Sequence, residues 1–157
     1  MQAETEIPAG VRAATTLWIT AVAMGAFETI LAVTQLPAFD AGTAVGLGVR
    51  VVIYAAAVFL ALLLCRRQNW ARAVLAVGLG VFGTISLVIE PVQWLLAGNS
   101  PGRFLAEAST MTLVAAGSRL VHLAAVLGAM VLMFGPPANA FFRGAPTGEV
   151  AGRRERV

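Results

Sequence analysis

Polar residues interrupt this chain only at long intervals. Between the interruptions lie apolar stretches at residues 12–36, 43–65, 70–89 and 111–134. Each is long enough to supply the roughly 20 helical residues that cross a ~30 Å hydrocarbon core. The breaks consist of helix-stopping residues: Pro37 after the first stretch, the run CRRQNW between the second and third, Pro91 after the third, and GPP at Gly135 to Pro137 after the fourth. The pattern predicts an all-α fold, a four-helix transmembrane bundle over residues 12–142. Residues 1–11 form an N-terminal segment, and residues 143–157, rich in Gly and Arg, read as a disordered basic tail. The longest connection, PVQWLLAGNSPGRFLAEAST from Pro91 to Thr110, reads as a short interfacial helix, a turn and a lead-in to the fourth span.

Composition strengthens the membrane assignment. Of 157 residues, 59% are hydrophobic and 12% charged, outside the usual range of a water-soluble domain. The acidic start (Glu4, Glu6) and the length of the first apolar run argue against a cleaved signal peptide. The single Cys65 excludes an internal disulfide.

Charge then orients the bundle. All eleven basic residues are Arg, and four of them, Arg143, Arg153, Arg154 and Arg156, lie in the last fifteen residues. Together with Arg12, Arg66, Arg67 and Arg72 they fall on one side of the expected membrane, leaving Arg103 alone in the opposite loops. An excess of Arg marks the cytoplasmic face, so both termini are expected on the cytoplasmic side of a plasma membrane, and no nucleic-acid partner is expected. On this topology Trp18 and Trp70 are expected at the inner headgroups and Trp94 at the outer ones. Arg66, Arg67, Trp70, Arg72, Phe141, Phe142 and Arg143 are the expected contacts to inner-leaflet headgroups.

The chain also carries an internal echo. GAFETI (Gly25 to Ile30) returns as GVFGTI (Gly80 to Ile85) at a shift of 55 residues, and RVVIYAA (Arg50 to Ala56) returns as RLVHLAA (Arg119 to Ala125) at a shift of 69. Two tandem helical hairpins of the same orientation are the expected arrangement, related by a pseudo-two-fold along the membrane normal. Ala21 and Gly25, and likewise Ala76 and Gly80, are small residues four apart, which lets helix backbones approach closely.

The chemistry lies in the charges inside the spans. Glu28 is eight residues from Leu36 and Arg50 seven from Thr43, so both lie about 10–12 Å below the outer surface at 1.5 Å per residue. Equal depth on adjacent helices predicts a Glu28–Arg50 pair, because an intramembrane charge costs about 2.5–3.5 kcal/mol and pairing offsets it. Arg119 is expected to find Glu90 or Glu107, and Tyr54 and His122 extend the polar cluster. Two readings follow: structural pairs that set helix order, or a pocket open to the outer leaflet that exchanges a proton or holds an anionic headgroup. One His with Glu28 and Glu90 is too few for a convincing metal site, and no nucleophile or phosphate-loop motif is present, so neither metal nor cofactor is expected.

Two motifs, RRQNWARAVL at the second cytoplasmic turn and PPANAFFRG after the last span, resemble those of the small uncharacterised four-helix integral membrane proteins of actinobacteria. The resemblance implies a plasma-membrane protein and transfers no functional residue. The expected role is a non-catalytic accessory or assembly subunit of a larger membrane complex, partnered by another membrane protein or by copies of itself. A small proton-coupled carrier or lipid-binding protein is the alternative, and a membrane-embedded enzyme the third.

Overall fold

The computed structural model describes residues 7–144. Among them are helices α1 (Ala9–Thr34), α2 (Ala41–Cys65), α3 (Asn69–Leu96), α4 (Pro101–Glu107), α5 (Thr110–Met133) and α6 (Pro136–Arg143). Four of these, α1, α2, α3 and α5, are long and apolar enough to cross a membrane. The expected disorder of the tail falls on residues 145–157, outside the described residues, as do residues 1–6 of the N-terminal segment.

Each helix end has a local cause. Asp40 caps α2 by accepting the Thr43 N–H at 2.7 Å, and Ser109 caps α5 through the Thr112 N–H at 3.2 Å. The chain turns from α2 to α3 through Arg66, Arg67 and Gln68. The Gln68 N–H bonds the Leu63 carbonyl and the Arg67 N–H bonds the Leu64 carbonyl, which is a Schellman closure. That closure needs a left-handed residue, usually glycine, yet here Arg67 adopts it at φ 59°. Its side chain compensates: Nε donates to the Phe141 carbonyl at 3.1 Å, and the guanidinium lies 5.0 Å from the centre of the Phe141 ring.

Helix α3 departs from the sequence reading twice. It continues through Pro91 to Leu96, so the helical part of the expected interfacial segment is the end of the third span. Proline removes one N–H and crowds the carbonyl four residues before it, but it does not have to end a helix. The separate short helix of this connection is α4, which begins at Pro101, where a missing N–H costs nothing. The second departure is a π-helical segment over Ala76–Gly83, in which hydrogen bonds skip one residue further than in an α-helix. It occupies the stretch that matches α1 in the internal echo, and α1 has no such segment. Helix α6, absent from the sequence reading, starts on Pro136 and Pro137 and stops at Gly144, whose φ is 74°.

The core lies toward the end of the bundle that carries α6 and the α2–α3 turn. There Val11, Trp18, Leu64, Leu75, Met133 and Phe141 are fully buried. Trp18 and Phe141, expected at the headgroups, are therefore inside the bundle at 0% and 1% exposure; Trp70, at 53%, stays outside. Packing decides this, because an aromatic ring gains more from filling space between helices than from an interface position. Helix α1 makes its most extensive contact with α5, and a smaller one with α2. Glycines mark the close approach: a Cβ at Gly128 would sit 3.1 Å from Leu17, and one at Gly80 would sit 2.5 Å from the Met130 sulfur. Ala21, Gly25, Ala76 and Gly80 are all buried.

Away from this end the bundle opens. The buried residues of α2 are Ala57, Ala61 and Leu64, and none of the stretch Thr84–Leu96 is buried. Helices α1 and α5 stay packed further, to Thr29 and Ser118.

Candidate functional site

The polar cluster forms where α1, α2 and α5 meet. Gly25 makes room for it. A Cβ there would come within 3.1 Å of the His122 ring and 3.2 Å of the Tyr54 hydroxyl, so both side chains rest against bare backbone. Thr29, one turn on, is buried, and its hydroxyl donates to the Gly25 carbonyl at 2.8 Å. The Tyr54 hydroxyl donates to the same carbonyl at 2.8 Å and lies 2.8 Å from the Thr29 hydroxyl. One carbonyl with two lone pairs thus ties α2 to α1.

Glu28 pairs with α5 rather than α2. Its Oε1 is 3.3 Å from Nδ1 of His122 on α5. The neutral imidazole can donate to the carboxylate through Nδ1–H, and the imidazolium adds a charge to the same contact. The two side chains keep 17% and 21% of their surface open, so the contact is neither sealed nor freely solvated.

The expected Glu28–Arg50 pair is not formed. Depth along a helix follows from its rise, but the direction a residue faces is set by packing. Glu28 lies three residues from Gly25, on the stripe that packs against α5, while Arg50 lies on the stretch of α2 between Ala41 and Ala56, in which no residue is buried. Arg50 is exposed, and among the described residues no carboxylate lies within 4.0 Å of its guanidinium. Arg119 takes Glu90, with Nη1 donating to Oε2 at 2.9 Å, and Glu107 takes Arg103 at 3.6 Å on its own helix. The Arg119–Glu90 pair is open, at 37% and 74% exposure, and is not part of the Glu28 contact. Among the described residues no group of three or more His, Cys, Asp or Glu is placed to hold a metal ion.

A second polar assembly lies at the opposite end, around Asn139. Its Oδ1 accepts from Arg72 Nη2 at 2.6 Å, its Nδ2 donates to the Phe134 carbonyl at 2.8 Å, and its own carbonyl accepts from Arg143 Nε at 3.2 Å. The Arg72 guanidinium lies 4.2 Å from the centre of the Phe134 ring and 5.2 Å from that of Phe142. Arg66 is exposed and Phe142 half-buried.

Thr29 and Asn139 are the residues missing from the sequence reading. Thr29 was visible in principle, four residues from Gly25 on the packing stripe; Asn139 sits in the PPANAFFRG motif with no spacing signal of its own. Comparison with known proteins returns no match: no family model fits the chain, and no curated protein or solved structure is similar to it above chance.

Proposed function

We propose that this multi-pass membrane protein is a non-catalytic accessory or assembly subunit, and that its partner is a transmembrane helix bearing a carboxylate, docked on the part of α2 between Ala41 and Ala56. The observation that carries this reading is Arg50. It sits inside a span, exposed, with no carboxylate within ion-pair distance among the described residues. An Arg at such depth costs about 2.5–3.5 kcal/mol unless it is paired or reaches the headgroups. Gly42, Gly46 and Arg50 recur at every fourth residue and share one helix face. Gly46 has open space where a Cβ would stand, so a second backbone can come close there. Both termini on the cytoplasmic side of the plasma membrane, as the Arg distribution implies, belong to the same reading.

A photo-crosslinking residue at Val45, beside this face, tests the reading in native membranes. A discrete protein adduct is expected there and not at Phe59, an exposed position of α2 nearer the packed end. Lipid adducts alone at both positions would overturn it.

A second reading is favoured by one observation, the partly open Glu28–His122 contact between α1 and α5. A carboxylate and an imidazole in contact inside a span can exchange a proton, as a small proton-coupled carrier would require. Under that reading a well-folded Glu28→Gln protein loses its cellular role; under the first it keeps it.

A further inference from the structure

A shallow pocket of about 340 Å³ opens at the end of the bundle bearing α6, lined by Asn69 and Arg72 of α3 and by Asn139, Phe142 and Arg143 of α6. Its two guanidiniums belong to different helices and are held by the same residue. Asn139 accepts from Arg72 with its side chain and from Arg143 with its backbone, and the rings of Phe134 and Phe142 flank Arg72. Among the described residues, no carboxylate lies within 4.0 Å of either guanidinium; Glu28, Asp40, Glu90 and Glu107 are all elsewhere. Holding two like charges on one small pocket is unfavourable by itself. An anion between them removes the repulsion, and a phosphate matches the planar fork of Arg with paired hydrogen bonds.

Arg72 has one N–H engaged in a hydrogen bond and Arg143 one, which leaves most of their donors free to point into the pocket. Asn69, the first residue of α3, also lines the pocket. The position also fits a headgroup. Asn69 begins the third span and Phe134 follows the last residue of the fourth, so the pocket lies where hydrocarbon gives way to the polar interface.

We infer that this pocket is a discrete binding site for a phosphate-bearing anion, with Arg72 and Arg143 as its ligating groups and Asn139 as the positioning residue that sets their separation. It differs from diffuse attraction of basic residues to a charged membrane in depending on Asn139, which carries no charge. The inference is independent of Arg50, which lies on the unpacked part of α2.

Native mass spectrometry of the full chain in detergent, titrated with phosphatidylglycerol or phosphatidylcholine, tests it. Retention of phosphatidylglycerol over phosphatidylcholine is expected, falling roughly tenfold in Arg143→Gln and in Asn139→Ala, the size of a lost charge-assisted hydrogen bond. Arg12→Gln removes the same charge outside the pocket and should leave retention near that of the wild type. Displacement of the lipid by millimolar glycerol phosphate assigns the site to soluble phosphate compounds; retention in its presence assigns it to a lipid headgroup. Equal retention of the two lipids, or equal losses in Arg12→Gln and Arg143→Gln, would overturn the inference, as would an Asn139→Ala protein that binds like the wild type. Circular dichroism of each variant checks that the helices persist.

Discussion

Glu28 finds its partner on α5, not on α2, and this choice can be measured. Replacing Glu28 and His122 by Leu, singly and together, should give a coupling of about 0.5–1.5 kcal/mol in a steric-trap stability assay, the range of polar contacts between membrane helices. The same cycle on Glu28 and Arg50 should be additive within about 0.5 kcal/mol. Coupling in the second cycle and none in the first would restore the pairing that depth alone suggests. Glu28, Tyr54 and His122 stood out in the sequence as polar groups in apolar runs, while Thr29 did not, and Arg50 and the Arg119–Glu90 pair lie apart from them. The pairing of Glu28 was not legible, since two residues at equal depth can face any direction around their helix axes.

At the scale of elements, the four spans were legible from their apolar runs, while their ends and internal irregularities were less so. Pro91 reads as a stop but lies within α3, and nothing in AVGLGVFG announces a π-helical segment over an α-helical one. Trp18 and Phe141 were misplaced because interfacial preference describes aromatics that packing leaves free, and these two are packed. Two element ends carry sharper tests. At the start of α2, the Thr43 N–H holds the Asp40 carboxyl below its ordinary pKa. A depressed pKa means that the cap contributes stability above the ordinary carboxylate range and loses it as pH falls through the folded value. Intrinsic-rate-corrected hydrogen-exchange protection at Thr43 should therefore drop in acid, and in Asp40→Asn it should be flat with pH. At the α2–α3 turn, Arg67→Ala keeps the left-handed backbone and loses the tie to Phe141. Arg67→Gly also loses the tie but relieves the backbone, so it should cost about 1 kcal/mol less than Arg67→Ala. A glycine variant no more stable than the alanine one would place the strain elsewhere.

For the whole molecule, the distribution of burial matters more than any single contact. One half of the bundle is filled by Trp18, Leu64, Leu75, Met133 and Phe141, and the other leaves α2 and the last part of α3 with no buried residue beyond Ala57 and Gly80 respectively. Arg50 lies exposed in a span, with no carboxylate within 4.0 Å of it among the described residues, and the proposed subunit role rests on it. The most direct measurement is the mass of the particle released from native membranes into lipid nanodiscs, for the wild type and for Arg50→Leu. The wild type should elute as an assembly heavier than one chain and of fixed stoichiometry, and Arg50→Leu as the single chain with its helical content unchanged. A wild-type protein that elutes alone, or an Arg50→Leu assembly of the same mass, would contradict a role as a subunit docked through α2.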